Sequence, residues 1–166
     1  MFEVEPIIDK LEKQTTIYLT KISQQNMRSH LSRQNTGLIH IAYDLERIGD
    51  HAENIAQIAQ EYIAGPIKFS KTAQKELQDL HELIMSTLEK ALFTLENSDL
   101  SVAQEVRDLE KQINATERTL RNQHTGRLKE GLCIPSAGVM FLDILSNMER
   151  VGDHCDNIAE AIQEAE

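Results

Sequence analysis

One stretch of eleven residues occurs twice. Glu46-Arg47-Ile48-Gly49-Asp50-His51-Ala52-Glu53-Asn54-Ile55-Ala56 returns 103 residues later as Glu149-Arg150-Val151-Gly152-Asp153-His154-Cys155-Asp156-Asn157-Ile158-Ala159. Eight of the eleven positions are identical, and Ile48/Val151 and Glu53/Asp156 exchange like for like. Self-similarity at a long period means two copies of one structural unit. Any fold for this chain has to accommodate that unit twice.

Each copy reads as a helix. Leu45, Ile48, Ala52, Ile55 and Ala59 recur every three or four residues, and Leu145, Met148, Val151, Cys155 and Ile158 do the same. That is the stripe of a core-facing helix. Glu46 and Asp50 lie four apart, as do Glu149 and Asp153. Like charges at that spacing repel, at a cost of a few tenths of a kcal/mol, roughly. Each copy also carries a mid-helix glycine, Gly49 or Gly152, which costs about 1 kcal/mol against alanine. One account covers both costs: the glycine admits a neighbouring backbone and the carboxylates hold a cation. A solvated charged face, neutralised by Arg47 and Arg150 and doubled only because the fold is doubled, accounts for the same residues. His51 and His154 fall about 100° round the helix from the aspartates, which favours a place outside any ligand set.

The rest of the chain is helical in the same way. Aromatic residues make up 4% of it, Trp is absent, and no strand pattern or low-complexity segment occurs. The pattern predicts five long helices, over 3–24, 36–64, 70–96, 99–129 and 135–164. Pro6 suits a first turn, Gly65-Pro66 a helix end, and Pro135 a helix start. Asp99 is a ready N-cap, and Ser101-x-x-Gln104 offers a capping box if the helix begins two residues later. Residues 25–34 are polar, with Met27 and Leu31 hinting at a short helical turn. Helices three to five form a complete up-down-up unit over 67–166, whereas 1–66 holds only the equivalents of its last two helices. The fold class is all-α, an antiparallel bundle of two three-helix repeats whose first helix is missing.

That alignment sets Glu5-x-x-Ile8-Asp9 against Glu110-x-x-Ile113-Asn114, and Met1 against Val106. Glu5 and Asp9 therefore form a second acidic pair on the helix before the first signature. Facing helices in such a unit lie roughly 8–10 Å apart, close enough for two acidic pairs to share a metal. The absent helix predicts an apolar groove lined in part by Leu11, Leu19, Leu45, Ile48 and Ile55. Large bare apolar patches are uncommon on monomers, so the groove should be filled, by a second copy, by a swapped first helix or by the second unit folding back over it, and a homodimer is the expectation.

Net charge is −10, which argues against nucleic acid as a partner and suits cation binding. Cys133 and Cys155 form no spacing motif, which points to a reduced, cytoplasmic setting. No apolar run approaches the ~20 residues of a membrane span, and the N-terminus has no signal-peptide pattern. Glycine-rich phosphate loops, nucleophile elbows and cysteine clusters are missing. Phosphate has no visible site beyond generic helix N-termini. A ferritin-like di-metal enzyme needs Glu-x-x-His on two helices, and none of the six histidines has Glu three residues before it.

Leu45-Glu46-Arg47-Ile48-Gly49-Asp50-His51 and Met148-Glu149-Arg150-Val151-Gly152-Asp153-His154 resemble the two signatures of the PhoU family. The longer run Asp44 to Ala56 is most similar to the PhoU-like tail of bacterial sodium/phosphate cotransporters. The resemblance implies a non-enzymatic regulator of phosphate uptake that acts with a phosphate transporter's membrane domain or subunit and with a sensor kinase. It implies a metal, iron or zinc, on the acidic face. Glu46, Asp50, Glu149 and Asp153 match the motif positions, and Glu5, Asp9 and Glu110 the supporting ones. Asn114 departs from the acidic pattern, which leaves the second site the weaker. A longer parent chain would tether the module to the inner face of the membrane. A metal-free helical scaffold is the remaining alternative.

Overall fold

The computed structural model describes residues 3–165. Met1, set against Val106 by the repeat, lies outside them. Five helices follow in order: α1 Glu5–Ser23, α2 Ser29–Ala64, α3 Lys71–Asn97, α4 Leu100–Lys129 and α5 Pro135–Ala165. Among the described residues no strand forms, and no helix is long and apolar enough to cross a membrane.

Most helix ends follow the local chemistry. Ser70 accepts a hydrogen bond from Ala73 N–H at 3.1 Å and starts α3. Ser98, at φ 51°, closes it in the left-handed region. The suggested Ser101–Gln104 capping box does not form. Asp99 caps α4 instead, accepting from Ser101 N–H at 3.0 Å and Val102 N–H at 3.2 Å, so Ser101 falls inside the first turn. Gly126 does not interrupt α4, which runs on to Lys129.

The larger departure is the start of α2. It begins at Ser29 rather than residue 36. Its first turns carry no apolar stripe: they lie against the end of α1 and beside the last turns of α5, where Ser32 and Arg33 share a cleft with Glu164 and Ala165. Asn35, buried, donates to the Leu19 carbonyl at 3.1 Å. Once α2 is nucleated further along, each added residue costs little, and that bond holds the extension in place.

The core lies among α3, α4 and α5, which all pack on one another. Phe141, Leu80, Ile113, Leu145, Ile158 and Val106 are fully buried there. Arg127 clamps Glu76 through two bonds of 2.7 Å between α4 and α3. The two signature helices, α2 and α5, lie side by side. Among the described residues α1 packs on α2 alone.

The expected groove is thus half covered. Leu19 is buried, and Leu45, Ile48 and Ile55 pack partly against the main core. Leu11 stays 58% exposed, beside Ile7 at 56% and Tyr18 at 65%. The second unit covers the α2 side, and the α1 side remains bare.

Candidate metal centre

The glycine of the first signature fixes the distance between α1 and α2. A Cβ on Gly49 would sit 3.2 Å from Ile8 Cδ1 and 3.4 Å from its Cγ2. Glycine lets the helices close to that contact. Glu5 and Asp9 flank Ile8 on α1, and Asp50 follows Gly49 on α2. Close approach at Ile8 therefore carries the α1 pair to the α2 aspartate. One carboxylate oxygen from each of Glu5, Asp9 and Asp50 lies within 4.8 Å of the other two.

That spread suits a cation. Oxygens on opposite sides of an ion bound at about 2.0–2.6 Å are at most about 4–5 Å apart. All three donors are carboxylate oxygens, the choice of a hard ion. Asp9 is exposed and the others half-buried, which leaves room for water to complete the shell.

The electrostatics point the same way. Glu5 is held above its ordinary value by desolvation, then by a hydrogen bond to and the charge of Asp9, with Glu53 and Asp50 adding to it. Desolvation raises Glu46 too, and Asp50, Asp9 and Glu12 push it further while Arg47 opposes them. Arg47 is the local counter-charge, 2.7 Å from Asp50 and 3.1 Å from Glu46. Glu5 and Glu46, which resist ionisation beside like charges, gain from a cation. Glu46 stands one turn behind the three clustered oxygens, facing Arg47, and is not one of the converging group.

The second signature repeats the approach. A Cβ on Gly152 would meet Ile113 Cδ1 at 3.0 Å and Cγ2 at 3.1 Å. Ile113 is the repeat equivalent of Ile8. The charge around it is arranged differently. Asn114, where the first unit has Asp9, donates to Glu110 in a short hydrogen bond. Desolvation first, then Asp156 and Asp153, raises Glu110. Glu149 is raised by desolvation and by Asp153, and Asp153 by desolvation against the opposing charges of Arg150 and His154. Arg107 reaches Asp156 at 3.3 Å. Among the described residues no three ligand atoms converge around Glu149 and Asp153 as they do at Glu5, Asp9 and Asp50.

Two features adjoin the acidic pairs, and only the second escaped the sequence. Glu53 and Asp156, paired by the repeat, bear on Glu5 and Glu110. Their like-for-like exchange three residues after the signature aspartates was the available signal. The other feature is a polar layer between α2 and α5. His51 and His154 stack with ring centroids 5.6 Å apart. His154 Nδ1–H donates to Asp44 at 2.7 Å and His51 Nδ1–H to Asn147 at 2.9 Å. Asn157 and Asn54 donate to the same two oxygens. Asp44 and Asn147 are again repeat equivalents, but they precede the signature and differ in charge, so no local pattern joins them to the histidines.

Comparison with known proteins bears on the family and the fold. The chain is 31% identical over 162 residues to the phosphate-specific transport system accessory protein PhoU homolog of Rhizobium meliloti, covering 95% of this chain and 66% of that protein. It is 23% identical to the putative inorganic phosphate export protein YjbB of Escherichia coli K12, over 89% of this chain and 28% of that one. It spans from about half to two thirds of the length of its first PhoU relatives. The crystal structure of PhoU from Pseudomonas aeruginosa superposes with a TM-score of 0.88 at 24% identity, over 98% of this chain and 78% of that one, which shows the shared fold. The PhoU domain itself matches residues 1–59 and 77–162. The chain belongs to the PhoU family.

Proposed function

We propose that this chain is a regulatory module of phosphate uptake, that it is not an enzyme, and that it works by binding the membrane domain or subunit of a phosphate transporter at the cytoplasmic face. The observation that carries the reading is the Glu5, Asp9 and Asp50 cluster, set on a PhoU fold. Relatives named as phosphate transport accessory proteins support the process. The match to part of a putative phosphate exporter supports a module that works while joined to a transporter. A sensor kinase is the second partner in this reading.

The first site holds a hard cation through Glu5, Asp9 and Asp50, with Glu46 beside it. Of iron and zinc, iron suits an all-carboxylate set better, since structural zinc favours Cys and His. Glu149, Asp153 and Glu110 form the weaker counterpart. The cation would screen the repulsion among these carboxylates and lock α1 onto α2. The bare α1 stripe of Ile7, Leu11 and Tyr18 is where partners meet the module, a second copy of the chain among them.

Phosphate uptake in cells lacking the gene tests the role. Restoration of normal uptake by the wild-type gene, and its failure with Asp9→Asn plus Asp50→Asn, is the expected result. Uptake indifferent to the gene's presence would sink the reading. Light scattering of the purified chain tests association, and a dimer that Leu11→Glu disperses is expected. A monomer at micromolar concentration would refute the homodimer.

A further inference from the structure

A cleft of about 530 Å3 opens between α1, α2 and α5, and two members of the polar layer, Asp44 and Asn157, form part of its wall. Glu12 of α1 and Glu160 and Glu164 of α5 add to that wall, and no Lys or Arg lines it. Arg107 meets Glu160 at 3.3 Å. Glu12 accepts a hydroxyl bond from Thr16 at 2.9 Å.

Exposed carboxylates alone need no ligand. Asp44 is different. It is 6% exposed, and carboxylates that deep are almost always paired. Its Oδ1 accepts from His154 Nδ1 at 2.7 Å and from Asn157 Nδ2 at 3.0 Å. Its Oδ2 has no donor among the described residues. That oxygen still keeps accessible surface, on a residue that walls the cleft.

The repeat supplies an internal control. Asn147, in the place of Asp44, accepts the same pair of bonds from His51 and Asn54 with a neutral amide. Its nitrogen donates to the Asp143 carbonyl at 2.9 Å. The polar layer therefore needs no charge at this position. A carboxylate cannot donate as that amide does, so the second oxygen of Asp44 and its charge are left over, facing space that a cation can enter.

Shape decides which cation fits. Among the described residues, three acidic or histidine ligand atoms gather only at Glu5, Asp9 and Asp50, so the acids of this cleft do not surround one metal ion. A guanidinium is a planar fork of five N–H donors that reaches separated acceptors. Ile39 and Ala161 give its stem an apolar wall. Free arginine would also bring a carboxylate, which this wall has no Lys or Arg to receive. An arginine within a polypeptide brings none.

We propose that this cleft receives an arginine side chain from a partner protein, with Asp44 as the buried acceptor and Glu12 and Glu164 at the rim. The site stands on this geometry and not on the role in phosphate uptake. Titration of the full chain with acetyl-Gly-Arg-Gly-amide, followed by NMR at fixed ionic strength, tests it. Saturable binding that shifts the Asn157 side-chain amide is expected, weakened about tenfold or more by Asp44→Asn. Asparagine keeps the polar layer, as Asn147 shows, and Glu12→Gln plus Glu164→Gln gives a second variant at the rim that should weaken binding too. The peptide with citrulline for arginine, the same shape without the charge, should not bind. Absence of saturable binding, equal binding of the citrulline peptide, or binding that ignores both variants and is lost in Asp9→Asn plus Asp50→Asn overturns the site. A lysine peptide or spermidine binding as tightly overturns arginine as the ligand, and free arginine binding as tightly overturns a partner protein as its source.

Discussion

At the scale of single residues, the two glycines look alike in sequence but face different neighbours. Ile113 is fully buried and cannot yield, whereas Ile8 is half-buried near the start of α1. Alanine gains about 1 kcal/mol of helix propensity at either position. Overpacking costs about 1–3 kcal/mol where neighbours are fixed. Gly152→Ala should therefore lower stability by up to about 2 kcal/mol, and Gly49→Ala should stay within about 1 kcal/mol of wild type. Leucine should be worse than alanine at both. Urea unfolding of the four variants gives the comparison, and a stabilised Gly152→Leu would end the close-approach account. The carboxylates make a prediction in pH. Glu149 is raised from an ordinary value of 4.5, chiefly by desolvation and then by Asp153. A carboxylate raised in the folded state binds more protons there, so its contribution to stability falls as pH rises from the ordinary value through the raised one and is level above that. In chelator-treated protein, Glu149→Gln should gain on wild type between pH 4.5 and pH 8, followed by thermal melting. A constant difference across that range would contradict the shift. Cys155 takes no part, since burial pushes its thiol up to about 12.

At the scale of helices, what was legible depended on what each helix packs against. The α3, α4 and α5 spans were read to within a residue because each has an apolar stripe and a strong stop. The early turns of α2 were not, because Asn35 and its neighbours meet α1 and the end of α5 through polar groups rather than an apolar stripe. The acidic positions were legible because the repeat printed them twice. Their convergence was not, since it depends on where Ile8 touches Gly49. Likewise the pairing of Asp44 with His154 joins residues 110 apart, beyond the reach of any local pattern. Removing the Asn35 side chain should cost about 0.5–1.5 kcal/mol, the net worth of its hydrogen bond to the Leu19 carbonyl. It should also speed amide exchange over residues 29–35 in α2, with α3 to α5 unchanged. Unaltered exchange there would mean the extension forms without its tie to α1.

At the scale of the whole molecule, the two copies have diverged in opposite directions. The second has the core: α5 alone buries Phe141, Leu145, Ile158 and their neighbours, while Leu19 is the one buried residue of α1. The first has the converging carboxylates, on a helix held by α2 alone. A cation there does two things at once, binding a ligand set and fastening the least anchored helix. Anything that binds only the folded state raises its apparent stability. The most direct measurement is the melting temperature and bound metal of chelator-stripped protein after adding iron, manganese or zinc. Wild type should bind and be stabilised, Asp9→Asn plus Asp50→Asn should lose most of both, and Glu149→Gln plus Asp153→Asn should lose much less. Equal binding by wild type and the Asp9/Asp50 variant, or a wild-type melting temperature that ignores every metal, would contradict the account.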